Sequence, residues 1–320
     1  MNQDAGQSTA FPRTSARGTL VNLLRAMRVK QWVKNIFVFA GIVFAEERLL
    51  TQGDALLKVS LAFLFFCLIS SSVYLINDLA DLEQDRQHPE KRLRPLASGQ
   101  LSPRLATITA ILLPLGCAAL IVSILLTTRP MDAGWAWFGL LLLFYFILQL
   151  AYTFLLKHIV LVDLFAISAG FILRAVAGAA ILPVNITPWW LLSLFFLALF
   201  LGLGKRRNEL QVLGQTAGNH RRTLQEYSTQ FLDYLLLIDI ASTIVVYSLA
   251  TFTAPLVTRM KYPFLMLTVP IVVFALFRYL YLIIQKGKGG EPVDLVFHDS
   301  PMLVTIISWG FLVLTTQVVR

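Results

Sequence analysis

Apolar residues in this chain neither alternate nor mark one helical face; they run in long blocks separated by short polar or charged stretches. The blocks occupy residues 35–50, 55–77, 103–127, 135–156, 159–181, 188–204, 231–254, 263–284 and 301–319. A helix needs about 20 mostly apolar residues to cross a bilayer. The pattern therefore predicts about nine transmembrane helices, the first short and tilted. Pro130, Pro183, Pro188, Pro263 and Pro301 punctuate the block edges, where helices are expected to break. Pro114, Pro255 and Pro270 lie inside or near blocks, and helices in lipid tolerate such kinks.

Composition sharpens this reading. Hydrophobic residues make up 57% of the 320 and charged residues only 14%, more apolar surface than a soluble core uses. The formal net charge of +9 would suit a nucleic-acid binder on a soluble fold. Here the basic residues lie between apolar blocks, where they set orientation and meet phosphates or anionic membrane lipids, so no nucleic-acid partner is expected. Cys67 and Cys117 fall inside apolar blocks and read as small core hydrophobes, with no disulfide framework and no zinc spacing. Residues 1–18 are polar, lack the apolar stretch of a cleaved signal, and are expected to form a disordered cytoplasmic tail ahead of a single domain at 19–320.

Lysine and arginine, counted loop by loop, orient the chain. Arg13, Arg17, Arg25, Arg28, Lys30 and Lys34 precede or begin the first span. Arg86, Lys91, Arg92, Arg94 and Arg104 follow the second, Lys157 the fourth, Lys205, Arg206, Arg207, Arg221 and Arg222 the sixth, and Lys286 and Lys288 the eighth. The opposite loops hold only Arg48, Lys58, Arg129, Arg259 and Lys261. The charge-rich loops are thus expected to face the cytosol.

The most informative stretch runs from Ser71 to Arg86. Asn77, Asp81 and Asp85 recur every four residues, and Asp78 precedes Asp81 by three, so on a helix they share one face. Stacked carboxylates repel, and hard oxygen donors without His or Cys favour Mg²⁺ completed by substrate phosphates. A solvated helix cap with scattered acids is the alternative. Against it, the run continues at once into His88-Pro89-Glu90-Lys91-Arg92-Leu93-Arg94-Pro95, cations suited to a metal–diphosphate complex.

That segment, through Leu96-Ala97-Ser98-Gly99, resembles the first signature of the UbiA superfamily of intramembrane transferases, with Asn77, Asp81 and Asp85 on its metal motif. The resemblance implies an all-α fold with helices around a central cavity. That cavity would open to the cytosol and sideways to lipid. Prenyltransferases of the superfamily carry a second Asp-rich motif after the sixth span. This chain reads Lys205-Arg206-Arg207-Asn208-Glu209 there, a pattern that positive-inside bias alone would also give. With Lys30-Gln31-Trp32-Val33-Lys34-Asn35 and Tyr152-Thr153-Phe154-Leu155-Leu156-Lys157, this is similar to the decaprenyl-phosphate phosphoribosyltransferase branch. The resemblance implies transfer of 5-phosphoribose from phosphoribosyl diphosphate (PRPP) to a polyprenyl phosphate, in cell-envelope glycolipid synthesis in a bacterial cell membrane. It implies Asn77, Asp81 and Asp85 as Mg²⁺ ligands and Asp78, Asp81 and Asp85 as catalytic residues. Lys34, Asn35, Tyr74, Arg86, Lys91, Arg92, Arg94, Tyr152, Lys157, Lys205, Arg206 and Glu209 would serve as substrate contacts.

Two other functions fit parts of the pattern. A UbiA-type prenyltransferase with an aromatic acceptor would need the missing second acidic motif, and a transporter would also carry acidic helix faces. The sequence leaves acceptor length and oligomeric state open; a homo-oligomer is compatible with it. Arg174, ~25 Å along a helix from Lys157, is expected nearer the outer face, as a bundle-pairing or snorkelling group. Asp163 is placed to join the site; Asp233 and Asp239 read as site-facing or internally bonded. His298 and Asp299 read as a helix-initiating turn, Trp135, Trp137, Trp189 and Trp190 as interfacial anchors, and Gly170 and Gly178 as close-packing positions.

Overall fold

A computed structural model describes residues 16–45, 49–128, 132–182, 184, 186–213, 222–253, 264–288 and 292–318. The tail before residue 16, Arg48, Arg129, Arg221, Arg259, Lys261, Pro130, Pro183, Pro255 and Pro263 lie outside the described residues. Among those described the chain is helical, without a strand. The helices are α1 (Ala16–Ala26), α2 (Ala40–Phe44), α3 (Gly53–Ala80), α4 (Leu82–Gln87), α5 (Pro103–Thr127), α6 (Ala133–Phe154), α7 (Val162–Ala180), α8 (Pro188–Leu213), α9 (Thr229–Thr253), α10 (Thr268–Ile284), α11 (Pro292–His298) and α12 (Ser300–Val318). Helix α1 begins inside the stretch expected to be tail.

Seven helices among the described residues, α3 and α5 to α10, are long and apolar enough to cross a membrane, so the expected nine is not confirmed. The last apolar block forms α12, whose apolar stretch Ser300–Thr316 is shorter. The first block is not one α-helix. It starts as an eleven-residue 3-10 segment, Val29–Phe39, and continues as the five-residue α2. At about 2.0 Å per 3-10 residue and 1.5 Å per α residue it still extends roughly 30 Å, the thickness of the hydrocarbon layer.

Packing runs from α3 through α6, α7, α8, α9, α10 and α12 and returns through α2, with α5 outside α3. Of the spanning stretch, 61% is buried in α3 and in α7 but only 17% in α5, which turns Ile111, Leu112 and Leu115 outward. The inner helices are small where they meet the 3-10 segment. A Cβ on Gly178 would lie 1.8 Å from the Val38 carbonyl oxygen, and one on Gly41 would lie 2.8 Å from Ala179 Cα. Two apolar clusters fill the bundle, one centred on Phe66, Phe138 and Ile42 and the other on Phe200, Leu232 and Leu236. The tryptophans expected at the interface divide by helical angle. Trp137 and Trp189 are exposed, whereas Trp135 packs on Phe65 and Phe138 and Trp190 stacks on Phe44.

Candidate active site

Helix α3 breaks for one residue, Asp81, before α4 resumes. Its hydrogen bonds carry on across the break: Asp81 N–H donates to Asn77 O at 3.0 Å, and Asp85 N–H to Asp81 O at 2.8 Å. Asn77, Asp81 and Asp85 therefore keep the four-residue stagger of one helical stripe. Each carboxylate nearby meets cations from elsewhere in the chain. Arg94 Nη1 lies 2.6 Å from Asp85 Oδ2 and 3.2 Å from Asp78 Oδ1. Arg28 Nη2 reaches the same Asp78 oxygen at 2.5 Å, with its guanidinium 4.8 Å from the Tyr74 ring centroid. Lys157, in the 3-10 turn Leu156–His158 that follows α6, places Nζ 2.7 Å and 2.9 Å from the two Asp81 oxygens. Asp78 and Asp85 are buried, so these charges are compensated by partners and not by water.

The other half of the bundle contributes a second knot. Arg206, buried on α8, donates Nε to Asp163 Oδ2 at 3.0 Å and Nη1 to Glu209 Oε2 at 2.5 Å. Asp163 is wholly buried at the start of α7. The preceding Leu161 has φ 64, and its N–H donates to the Tyr227 hydroxyl at 2.7 Å. Tyr152 lies within electrostatic reach of Arg206. Lys91 joins the halves, feeling Asp85, Glu209 and Asp81. Burial, and then the charge of Arg94, lowers its ammonium pKa below the ordinary lysine value. Arg207 turns the other way, with Nε 2.5 Å from Asp233 Oδ1, so Asp233 is an internal partner.

Two expected contacts, Arg86 and Arg92, stay outside this region. Arg86 is exposed and pairs with Glu83 one turn away, and Arg92 is exposed. Lys34 and Lys205 are half-buried on the 3-10 segment and α8. Asn35 is buried deeper. Its amide donates to Ser70 Oγ at 3.2 Å, and its Oδ1 accepts from Arg174 Nε at 2.7 Å. Arg174 also donates to Tyr145 Oη at 2.6 Å and Gly170 O at 2.9 Å, so it pins the 3-10 segment to α6 and α7. Asp239 is buried in α9, and neither carboxylate oxygen has a hydrogen-bond partner among the described residues. Asp299 accepts from Met302 N–H at 3.0 Å and pairs with Arg278, capping α12. The residue that sequence reasoning missed is Arg28, counted only as an orienting charge. Its one sequence signal is its place directly ahead of the Lys30–Asn35 segment.

The donor set suits a hard divalent cation. Asn77, Asp81 and Asp85 offer only oxygens along one stripe. Among the described residues no cluster of three or more His, Cys, Asp or Glu forms an all-protein cage. One or two carboxylates completed by phosphate oxygens is the usual Mg²⁺ arrangement.

Residues 35–298 match the UbiA prenyltransferase family. Decaprenyl-phosphate phosphoribosyltransferase of Mycolicibacterium smegmatis is 32% identical over 316 residues, spanning 97% of this chain and 95% of that protein. The enzyme of that name from Mycobacterium tuberculosis is 31% identical over 293 residues, spanning 91% and 92%. Among solved structures, a UbiA homolog from Archaeoglobus fulgidus bound to DMAPP and Mg²⁺ superposes with a TM-score of 0.64 at 18% identity. It covers 93% of this chain and 96% of that one.

Proposed function

The chain belongs to the UbiA prenyltransferase family, and from that premise we propose that it transfers 5-phosphoribose from phosphoribosyl diphosphate to a polyprenyl phosphate, releasing pyrophosphate. The mycobacterial relatives that it matches over at least 91% of its length carry the name of this activity. The observation that carries the reading is the distribution of charge. One acidic stripe is faced by Arg94 and Lys157, and Arg206 with Glu209 stands where prenyltransferases would carry a second acidic motif.

In this reaction the acceptor's phosphate oxygen attacks the anomeric carbon of ribose. The bond from that carbon to the diphosphate breaks, and pyrophosphate leaves with the electron pair. The attacking oxygen is ionised at neutral pH, so no proton moves and no general base is required. Catalysis then rests on positioning and on neutralising the leaving group. Arg94, Lys91 and Lys157 neutralise the diphosphate, with Lys34, Tyr74, Tyr152, Lys205 and Arg206 completing the phosphate shell. Asn77, Asp81 and Asp85 would hold Mg²⁺, which when bound would draw charge from the diphosphate oxygens. Asp78 positions the cations beside it, Asp163 fixes Arg206, and Glu209 completes that arginine's fork. The deeper Asn35 acts by holding the 3-10 segment.

Residues 19–320 act as one transferase unit in a bacterial cell membrane, with the site on the cytoplasmic side. The donor arrives from the cytosol and the lipid acceptor from the bilayer. The deciding experiment incubates purified protein and Mg²⁺ with labelled phosphoribosyl diphosphate and polyprenyl phosphate. Phosphoribosyl lipid and pyrophosphate should appear in equal amounts. Consumption of a prenyl diphosphate supplied with an aromatic acceptor in a parallel reaction, with no phosphoribosyl lipid formed in the first, would overturn the assignment.

A further inference from the structure

Arg28 has a left-handed backbone, φ 53 and ψ 50, at the joint between α1 and the 3-10 segment. For a residue with a Cβ this conformation is strained. Among the described residues only one other non-glycine has positive φ: Leu161, at the joint that leads into Asp163 and α7. Both strained joints flank the charged region, and strain of this kind persists only where surrounding contacts over-determine it.

The joint is held from both sides. Arg28 N–H donates to Arg25 O at 3.0 Å, and Gln31 N–H donates to Arg28 O at 2.7 Å. Ser71 Oγ on α3 donates to Met27 O at 3.0 Å and accepts from Trp32 Nε1 at 3.0 Å. What the strained backbone achieves is direction. The Arg28 side chain, 26% exposed, crosses the Tyr74 ring and meets Asp78 at the oxygen that Arg94 also uses. Two guanidinium forks thus converge on one buried carboxylate, although Arg94 is shared further with Asp85. One carboxylate balances only part of two such charges, and two planar forks side by side match the oxygens of a diphosphate.

We propose that Arg28 binds the diphosphate of the sugar donor together with Arg94, its left-handed backbone aiming the fork and Asp78 serving as the positioning residue. The inference rests on the function proposed above, since the ligand is that reaction's donor. Arg28 adds a binding group from the N-terminal joint, outside the Lys30–Asn35 segment and the acidic stripe.

The test measures binding as well as turnover, on the full-length protein in lipid nanodiscs. Magnesium pyrophosphate is titrated in by calorimetry, and the KM for phosphoribosyl diphosphate is measured beside it. Arg28→Ala should weaken both by at least about tenfold while the KM for polyprenyl phosphate stays within about twofold, as expected for one charge-assisted contact. Arg28→Lys, which keeps charge but loses the fork, should fall between wild type and Arg28→Ala. It also serves if the alanine variant does not fold. Arg25→Ala removes an equal charge from the exposed face of α1 and should leave both values unchanged. A variant that melts earlier yet binds magnesium pyrophosphate as wild type does would show Arg28 to be structural and sink the inference. Equal losses in Arg25→Ala and Arg28→Ala would also sink it, by showing only bulk charge. If pyrophosphate binding depends on Arg28 but phosphoribosyl lipid is never made, the reaction assigned above fails while the binding role stands. If phosphoribosyl lipid forms normally and donor KM ignores Arg28, only the present inference fails.

Discussion

Gly178 on α7 is where a single methyl group tests whether the 3-10 segment sets the geometry of the site. A Cβ there would lie 1.8 Å from Val38 O, 2.7 Å from Val38 C and 3.0 Å from Val38 Cα. All three are backbone atoms, so no side-chain rotation relieves the clash. Bringing the first distance even to 3.0 Å moves the segment by more than an ångström relative to α7. Overpacking of this kind costs about 1–3 kcal/mol, and a 1 Å misplacement of a binding group costs on the order of 100-fold in rate. Arg28, Lys34 and Asn35 all lie on or next to the segment that would move. Gly178→Ala should therefore lower turnover of labelled phosphoribosyl diphosphate by about 100-fold while the protein still inserts and melts as a folded species. Gly116→Ala in α5, where a Cβ meets nothing within 4 Å, is the matched control. It should leave turnover unchanged and raise stability by roughly 0.5–1 kcal/mol, the helical cost of glycine. Wild-type turnover in Gly178→Ala would refute the idea that this contact positions the phosphate-binding groups.

Further outcomes follow from the charged groups. Asp81→Asn and Asp85→Asn should each reduce transfer by at least about 100-fold, as loss of a transition-state-stabilising group does, while the protein still folds, with Asp85→Asn melting earlier because it leaves Arg94 short of a buried partner; retained transfer would remove these residues from the site. Asp239→Val should raise the melting temperature and leave transfer intact, because a buried polar group without a partner costs about 1–3 kcal/mol; a lower melting temperature would mean that the carboxyl has a partner in the folded protein. The Lys58 hydrogen bond, helped by the N–H groups of Gly134 and Trp135, holds the Asp132 carboxyl below the usual range. A depressed carboxylate adds stability above its unfolded value of about 3.9 and loses it as pH falls through the folded value. Thermal melts taken down through that acidic window should fall for wild type and fall less for Asp132→Asn; parallel curves would rule the contribution out.

The parts of this architecture that could be read from sequence are those with local causes. Blocks of apolar residues mark the spans because nothing else is stable across lipid. The Asn77–Asp81–Asp85 stripe was legible because the helical period alone aligns residues four apart, and the one-residue break at Asp81 preserves the stagger. The first span misled because a 3-10 segment has the composition of an α-helix. That segment packs Val38 against Gly178, a contact far away in sequence that the residue types of the first block do not announce. Asn35 shared a segment with Lys34 and so read as a phosphate contact. Its neighbour Arg174 is 139 positions away, and that bond draws it into the bundle. Arg28 looks in the sequence like one more orienting charge, since a left-handed joint leaves no mark in residue type when the residue is not glycine.

The pairing pattern also explains why so basic a region can exist inside an apolar bundle. A charge withdrawn from water costs several kcal/mol unless a partner offsets it, and removing one member of a buried pair costs about 3–5 kcal/mol. The chain meets that constraint by distributing carboxylates one by one: Asp81 to Lys157, Asp85 and Asp78 to Arg94, Asp163 and Glu209 to Arg206. The same pairs are exchangeable in kind. A diphosphate that takes Arg94 and Lys157 leaves Asp85 and Asp81 in need of a cation, and a divalent ion that takes Asp81 and Asp85 leaves those two cations in need of an anion. On the function proposed above, donor and metal would each relieve the imbalance that the other creates, so binding of either one is expected to favour the other through the same free energy. In prenyltransferases two acidic motifs would place that exchange on metals at both ends of the diphosphate. Here Arg206 is already fixed between Asp163 and Glu209, so on the proposed function the second half of the bundle would meet the substrate with a cation supplied by the protein.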